Sequence, residues 1–284
     1  MPLSRFRWYV RWPCKWFIFA IVYVIVCFPY PNLLIRHIRH WSNPNALIEP
    51  DAPALQPWVR ELQTMPMESD PKAVLRNVQA YVLKHVPYDW DWNTWGMADY
   101  MPTVAEVVEK GREDCDGQAV IAASLLKSLG YNARIVTDFA HVWVATDHGE
   151  TMGPGKVKMV EMTDKGMKIQ WAGLLDLPRT SAYGIAVFPY ERELILVAVA
   201  WALLLGGAGF LRSLTGLVLM VGGLFLIRHG GQEYLIPLLW AQFAGAALFT
   251  VSVAIMFFRT PRVERQLAGL ELPEQDENRE GKAV

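Results

Sequence analysis

The sequence predicts an α+β domain inserted between membrane-spanning helices. Hydrophobic residues make up 52% of the 284 residues and concentrate towards the two ends of the chain, with a more polar region, 36–190, between them. Within that region, patterns typical of helices are followed by short segments typical of strands, an order that indicates an α+β domain. The formal net charge of −1 says nothing about a nucleic-acid partner, but the sequence has no basic stripe to suggest one, so none is predicted.

The first apolar segment, 16–35, has the ~20 residues that a helix needs to cross a bilayer. It follows a cationic N-terminus, 1–15, and it ends in bulky residues and prolines. Because no small-residue cleavage site follows, we predict an uncleaved membrane anchor, the alternative being a cleaved signal peptide.

Three further apolar segments lie after the central region, at 194–211, 214–227 and 235–258. We predict that each is a transmembrane helix, although 214–227 has only 14 residues and could instead tilt, thin the bilayer or be re-entrant. The spans show no buried charge pair of the kind found in transporters, so transport is not predicted. The tail, 259–284, is polar and is predicted to be disordered.

Loop charges predict the orientation of the chain. With four spans, one side of the membrane receives most of the basic residues near the span ends, namely Arg5, Arg7, Arg11, Lys15, Arg212, Arg259, Arg262 and Arg265. The positive-inside rule makes that side the cytoplasm, so 36–190 is expected outside it. Arg36 and Arg39, just after the first span, argue the other way.

The central region begins with helical patterns at 57–62 and 71–85. Thr103 to Glu106 has the spacing of a capping box, which predicts a short helix to Lys110. A longer apolar helix is predicted from Cys115 to about Leu129, where Gly130 suits the left-handed position beyond a helix end.

Three strands are predicted next, at 133–138, 141–146 and 156–163, with a nine-residue turn between the last two. If Thr146 pairs with Lys156 across that turn, the register places Glu161 opposite His141 on the same face of the sheet. Asp147 and Asp164 are the alternative carboxylates near this histidine, each less well placed by the register.

Cys115, His141 and Glu161 are the candidate catalytic residues. Cys115 is the only cysteine of the central region, since Cys14 and Cys27 lie beside or within the first apolar segment. A thiol at a helix N-terminus is expected to have a lowered pKa, because the unpaired amides and the helix dipole stabilise the thiolate. His141 would act as its base and Glu161 would orient the imidazole. The alternative is an inert core cysteine and a structural histidine.

These residues resemble the transglutaminase-like superfamily of papain-like thiol enzymes. Residues 114–136, DCDGQAVIAASLLKSLGYNARIV, look like its nucleophile segment, and His141-Val-Trp143-Val looks like its His-Ala-Trp strand. Residues 160–163, VEMT, are similar to its Val-Asp-Pro-Thr acid strand, and Tyr88-Asp89 and Pro102 to Glu106 look like its approach to the cysteine. The resemblance covers about residues 70 to 165. It implies a cysteine helix packed on an antiparallel sheet, with the Cys–His–acid triad at their junction.

The sequence departs from the family at three places: Glu161 stands where aspartate is usual, Met162 where proline is usual, and Glu113 where glycine is common. Some bacterial members use calcium near their Asp-Cys motif, and Glu113, Asp114 and Asp116 could supply oxygen ligands. The alternative, a solvated helix N-terminus without any cofactor, is favoured at this point.

An aromatic cluster, Trp90, Trp92, Trp95 and Tyr100, precedes the cysteine. It could line a substrate cleft, with an indole N–H available to an oxyanion. It could equally pack on the helix or lie at the membrane interface.

The predicted function is that of a multi-pass enzyme of the bacterial inner membrane. It would cleave or transfer amide bonds of a protein or peptide outside the cytoplasm, through a thioester. The alternatives are a catalytically silent binding domain and a scaffold of a membrane complex. Glycines at 206–209 and 222–223 permit close helix contacts and so favour a membrane-protein partner besides the lipid.

Overall fold

The fold is known from a computed structural model, which describes residues 8–65, 70–138, 141–153, 160–163, 166–169, 171, 177–205, 209–232 and 238–257. The remaining residues, which include the tail 259–284 that was predicted to be disordered, lie outside this description.

The first helices lead from the apolar N-terminal segment into the domain. Helix α1 spans Trp8–Cys27 and α2 spans Pro31–Ser42, followed by a 3-10 turn at Pro44–Leu47. The predicted span 16–35 is therefore wrong at both ends, because Pro29 and Pro31 separate two helices where one was expected. The carbonyl of Cys27 accepts a hydrogen bond from the N–H of Ala98 at 2.8 Å, which ties the end of α1 to the domain.

The helical half of the domain closely follows the local sequence signals. Its helices are α3 (Gln56–Thr64), α4 (Pro71–His85), α5 (Asp91–Thr94), α6 (Val104–Lys110) and α7 (Cys115–Ser128). Thr103 and Glu106 form the predicted capping box, and Gly130 has a φ of 87° just beyond α7. Helix α7 is the centre of the core, since Ile121, Leu125 and Leu126 are all fully buried. Burial of each such side chain contributes roughly 1.5–3 kcal/mol.

A three-stranded antiparallel sheet packs on α7, in the order β1–β2–β3. Its strands are β1 (Arg134–Thr137), β2 (Val142–Thr146) and β3 (Gly149–Thr151). A second, two-stranded sheet pairs β4 (Val160–Thr163) with β5 (Gly166–Ile169). The helices and the small antiparallel sheets confirm the predicted α+β class.

The predicted pairing of 141–146 with 156–163 is wrong. Thr146 pairs with Gly149 instead, which leaves a two-residue turn of Asp147 and His148. Gly149 has a φ of 131°, a backbone conformation that other residues rarely adopt, and the hydroxyl of Thr146 donates to its carbonyl at 2.9 Å. This tight turn takes the position that the nine-residue loop was expected to fill.

The C-terminal helices are α8 (Leu177–Val187), α9 (Tyr190–Leu204), α10 (Phe210–Gly231) and α11 (Leu239–Phe257). Helix α9 ends at Leu204 and α10 begins at Phe210, inside the predicted span 194–211, so α10 has 22 residues where a 14-residue span was expected. Among the described residues, three helices are long and apolar enough to cross a membrane, Tyr9–Cys27, Phe210–Gly231 and Leu239–Phe257. This is consistent with a membrane protein.

Two features of these helices correct the sequence analysis. Arg228 of α10 is buried and pairs with Glu193 of α9 at 2.5 Å, so a buried charge pair exists where none was expected. Gly223 of α10 packs on Gly245 of α11, where a Cβ on either would come within 2.7 Å of the other's carbonyl oxygen. The close approach of Gly223 is thus used within the chain, while a Cβ on Gly222 would meet nothing within 4 Å.

Candidate active site

Cys115 occupies the first position of α7, where Asp114 is the N-cap. The carboxylate of Asp114 accepts a hydrogen bond from the N–H of Asp116 at 3.0 Å. The half-buried Sγ of Cys115 accepts a hydrogen bond from the backbone N–H of Val142, the first residue of β2. Packing of α7 on β2 thereby brings the thiol to the residue that follows His141.

His141 is held by backbone and side-chain contacts at the start of β2. Its N–H donates to Oδ1 of Asp138 at 2.9 Å, and the N–H of Asp138 donates to its carbonyl at 3.0 Å. Its ring lies nearly parallel to that of Trp143, with 6.4 Å between the ring centroids. Nε2 of His141 is 3.0 Å from the carbonyl oxygen of Met152.

This last contact assigns the imidazole tautomer. A carbonyl oxygen only accepts hydrogen bonds, so Nε2 of His141 carries the hydrogen that it shares with Met152. In the neutral ring the lone pair is then on Nδ1, which is the nitrogen able to take a proton from a thiol.

The third predicted catalytic residue is not placed opposite His141 by the sheet. Glu161 belongs to β4, and its backbone pairs with Lys168 of β5. The register that led to Glu161 is therefore wrong, while the position of its side chain lies outside the described residues. Of the alternatives, Asp147 accepts a hydrogen bond from Nδ2 of Asn132 at 3.2 Å, and Asp164 lies outside the described residues.

The acidic residues around Cys115 are buried, which corrects the expectation of a solvated helix N-terminus. Glu113 is 0% exposed and Asp116 is 4% exposed. The carboxylate of Glu113 accepts hydrogen bonds from the indole N–H of Trp95 and from the N–H of Asp114. Gly117 makes room for it, because a Cβ there would overlap the Glu113 side chain.

Burial changes the protonation of this cluster. Burial and the charge of Asp114 raise the pKa of Glu113 to about 8, and burial raises the pKa of Asp114 to about 7. The pKa of Asp116 is also raised, by burial and by Asp114. These side chains therefore hold protons at a pH where exposed carboxyl groups are ionised.

The pKa of the Cys115 thiol is shifted in the same direction as the pKa values of these carboxyl groups. Burial raises the pKa of Cys115 well above its usual value, the carboxylates of Asp116 and Asp114 raise it further, and the N–H of Val142 lowers it. The prediction of a depressed pKa for Cys115 is wrong, because the thiol is buried and lies beside the carboxylates of Asp116 and Asp114.

Asp91 joins this cluster although it is distant in sequence. It is 2% exposed, and its Oδ2 accepts a hydrogen bond from the N–H of Tyr100 at 2.5 Å. Its Oδ1 has no hydrogen-bond partner among the described residues. Carboxylate oxygens of Asp91, Glu113 and Asp114 lie within 4.8 Å of one another, an oxygen set of the kind that calcium prefers. The predicted ligand Asp116 groups instead with Asp114 and Cys115.

The aromatic residues mostly form packing contacts. Tyr100 is fully buried and donates from its hydroxyl to Glu106 at 3.1 Å. Trp92 packs on Phe188, with 4.8 Å between the ring centroids. The indole N–H of Trp95 is already bonded to Glu113, so it does not supply the expected oxyanion contact.

Tyr88 interacts electrostatically with Cys115, and Trp90 packs on Tyr88. Trp90 is half-buried, and its ring lies 5.2 Å from that of Tyr88. Tyr88 forms a backbone bridge to Glu113 and is 50% exposed. Partial burial and the charges of Asp114 and Cys115 raise its pKa, so the phenol stays protonated.

Four residues of this site, Tyr88, Asp91, Asp138 and Met152, were not singled out from the sequence as functional. Tyr88 was noted only as part of a family-like segment, and the short spacing from Asp138 to His141 was the one local signal for that contact. Nothing in the sequence indicated the carbonyl of Met152, because a backbone group leaves no trace in side-chain patterns.

One comparison with known proteins found a family for part of the chain. No curated protein matches the chain, and no solved structure matches it. The family model of the transglutaminase-like superfamily matches residues 61–166, from α3 to the first residue of β5, and this superfamily includes cysteine-dependent enzymes. Residues 61–166, which carry Cys115 and His141, therefore form a transglutaminase-like domain.

Proposed function

We propose that this protein is a membrane-anchored thiol enzyme that cleaves or transfers amide bonds of a protein or peptide substrate. The observation that carries the proposal is the position of Cys115 at the start of α7, with its Sγ bonded to the N–H that follows His141. Cys115 is partly buried, and a substrate would reach it past Tyr88, which is 50% exposed.

The raised pKa of Cys115 favours general-base catalysis over a preformed thiolate–imidazolium pair. The neutral thiol would transfer its proton to Nδ1 of His141 as Sγ attacks the carbonyl carbon of the amide. The imidazolium would then protonate the leaving amine, which departs as the thioester forms. Water or a second amine would attack the thioester, giving hydrolysis or transamidation.

An oxyanion formed in this attack needs hydrogen-bond donors. We assign that role to the backbone N–H of Cys115, at the N-terminus of α7, and to the hydroxyl of Tyr88. The protonated phenol can donate throughout the physiological pH range. Removal of one such donor typically costs a factor of ~100–1000 in rate, so Tyr88→Phe is expected to slow acylation of Cys115.

Glu161 is proposed as the acidic member of a triad with Cys115 and His141. Its support is the likeness of 160–163 to the acid strand of the family. The carbonyl of Met152 already accepts from Nε2 of His141, so the carboxylate would act by stabilising the imidazolium charge rather than by selecting the tautomer.

A calcium ion held by Asp91, Glu113 and Asp114 is a further part of the proposal. Three buried carboxyl groups repel one another when ionised, and a divalent cation would neutralise them in place of protons. The bound ion would supply a fixed positive charge near the start of α7, which lowers the pKa of the thiol.

Terbium, which binds calcium sites, tests this directly. Excitation of Trp95 is expected to sensitise terbium luminescence, because its indole N–H contacts Glu113. Asp91→Asn should remove the signal and Glu109→Gln, which changes an exposed carboxylate, should retain it. Equal signals from the two variants would disprove the site.

We propose that the domain lies outside the cytoplasm of a bacterial cell, with the chain crossing the inner membrane several times. Lys15 of α1 and Arg212 of α10 lie at the end of the helices that is distant from the domain. There Lys15 donates to the carbonyl of Leu203, and Arg212 donates to the carbonyl of Ile255 at 2.5 Å. By the positive-inside rule that end faces the cytoplasm. Reporter fusions after residues 180 and 270 test this orientation. An external signal from the fusion after residue 270 would show that α11 crosses the membrane in the opposite direction.

The enzymatic proposal is tested by labelling with a thiol-reactive amide mimic in native membranes. A Cys14→Ser, Cys27→Ala background leaves Cys115 as the one thiol of the 284-residue chain. Labelling is expected in this background and is expected to be lost in Cys115→Ala and strongly reduced in His141→Ala. Labelling at the same rate with and without His141 would indicate an ordinary thiol and a catalytically silent binding domain. Release of the acyl group to water or to an added amine then separates hydrolysis from transamidation.

A further inference from the structure

A cavity of about 370 Å³ lies among the apolar helices, on the side of the bundle next to the domain. Its walls come from α1, α8, α9, α10 and α11, and include Phe19, Val197, Met220 and Phe249. The volume falls within the ~300–1000 Å³ typical of ligand pockets. Apolar walls do not hold ordered water, so an occupant must itself be apolar.

The cavity has a polar end and an apolar end. Glu193, in the first turn of α9, lines it at the end where Arg228 of α10 pairs with that carboxylate at 2.5 Å. Ala200 lines it seven residues further along the same helix, which is roughly 10 Å deeper at 1.5 Å per residue. The ends of α1 and α9 near Arg192 contact the domain, where that side chain donates to the carbonyls of Val26 and Gly96. The polar end therefore lies nearest the domain.

Gly184 of α8 keeps the cavity open. It lines the cavity, and a Cβ at this position would meet nothing within 4 Å. Other glycines of the bundle are different, since a Cβ on Gly223 or Gly245 would overlap the backbone of the facing helix. Gly184 is thus not needed for helix packing, and the space in front of it is available to a ligand.

We propose that this cavity binds one acyl chain of a membrane lipid. The shape of the site matches an amphiphile, because a polar group can lie at Glu193 while an apolar chain extends towards Ala200. The surrounding bilayer supplies such chains at high local concentration to any cavity among its helices. The inference rests on the membrane location of the helices and is independent of the chemistry at Cys115.

The bound chain would lie close to the active-site aromatics. Tyr183, the neighbour of Gly184 on α8, packs on Trp90 with 5.6 Å between the ring centroids. Trp90 packs in turn on Tyr88, which interacts electrostatically with Cys115. One helix, α8, therefore contributes both to the lipid cavity and to the aromatic wall beside the thiol.

Photocrosslinking of the full-length protein tests the proposal. The protein is reconstituted in vesicles of phosphatidylethanolamine and phosphatidylglycerol that contain a trace of phosphatidylcholine with a diazirine in one acyl chain. After illumination, mass spectrometry of peptides locates the adducts. We expect adducts at cavity positions such as Val197 and Met220, in addition to adducts on outward-facing residues such as Phe243.

Gly184→Leu should fill the cavity and lower the yield of cavity adducts roughly tenfold, the factor that corresponds to about 1.4 kcal/mol. Gly222→Leu, which also meets open space but does not line the cavity, is the matched control and should leave that yield unchanged. Ala200→Leu narrows the cavity from α9 and should also lower the yield of cavity adducts. This variant tests the proposal if Gly184→Leu does not fold. The proposal would be overturned if the native protein gave no cavity adducts. It would also be overturned if Gly184→Leu and Ala200→Leu both gave as many cavity adducts as the native protein.

Discussion

The Nε2 of His141 lies 3.0 Å from the carbonyl oxygen of Met152. The backbone φ of Met152 is 59°, a value that is unusual for any residue other than glycine. The β2–β3 hairpin explains the contact, because Val144 pairs with Thr151 and the chain turns sharply at the next residue. The left-handed conformation at Met152 directs its carbonyl towards the imidazole. A strained backbone residue beside a candidate catalytic group is a common feature of active sites.

Replacement of Met152 by two isomers tests this contact. Isoleucine is branched at Cβ and strongly disfavours positive φ, whereas leucine has the same volume and tolerates it better. We expect Met152→Ile to lower the rate of Cys115 labelling about tenfold or more, since the carbonyl must move, and Met152→Leu to stay near the native rate. The measurement is the pH dependence of labelling by the amide mimic. Similar profiles for the two variants would contradict the role of the carbonyl.

The protonation of Cys115 is the subject of the second prediction. Because burial and the charges of Asp116 and Asp114 raise its pKa, the rate of alkylation by iodoacetamide in the presence of chelator should reach its midpoint above the ~8.5 of a free thiol. Asp116→Asn removes the nearer charge and should shift the midpoint to lower pH. Glu109→Gln, at an exposed position, is the control. A midpoint below ~8.5 in the native protein would contradict this prediction and support a preformed thiolate–imidazolium pair.

The buried carboxyl groups predict how stability depends on pH in the absence of calcium. Glu113 has a pKa of about 8 in the folded protein and an ordinary value near ~4.3 when unfolded. The folded state keeps its proton where the unfolded state has lost it, so the free energy of unfolding should fall as the pH rises from ~4.3 to about 8. Thermal unfolding of the protein in chelator measures this.

Glu113→Gln provides the matched variant for that measurement. Glutamine can still accept from the indole N–H of Trp95 but does not titrate, so the decline in melting temperature between these pH values should become shallower. Added calcium should flatten the native profile in the same range, because it stabilises the ionised carboxylates. A native profile that rises with pH would show that the cluster is solvated after all.

Local signals made the helical half of the domain predictable. The capping box at Thr103 and Glu106 and the left-handed Gly130 are decided by residues within one turn of each helix end, and the structure has them where the sequence placed them. The prediction of the hairpin was wrong because it relied on strand patterns rather than on the turn. Strand patterns favoured 156–163 as the partner of β2, whereas the turn is fixed by the hydroxyl of Thr146 and the φ of Gly149.

The electrostatics of the candidate site could not be predicted from neighbouring residues. A run of acidic side chains normally indicates solvent, but here Trp95 covers Glu113, and Asp91 reaches the cluster from another helix. The same tertiary contacts reverse the expected direction of the pKa shift at Cys115. The sequence did predict which thiol and which strand would meet, because a buried helix followed by a hairpin leaves few alternatives for their packing.

The last prediction concerns Glu161, which the sequence made the third catalytic residue. If its carboxylate stabilises the imidazolium of His141, Glu161→Gln should leave the fold intact and reduce the rate of acylation by orders of magnitude. If the carbonyl of Met152 is sufficient to orient the ring, Glu161→Gln should change that rate less than Met152→Ile does. Asp147→Asn is the control, because Asp147 lies in the turn at the end of β2 that is distant from His141, where it accepts a hydrogen bond from Asn132. Single-turnover labelling of the three variants, with circular dichroism to confirm folding, distinguishes a Cys–His–Glu triad from a Cys–His pair held by a backbone carbonyl. A strong loss in Asp147→Asn would contradict both arrangements.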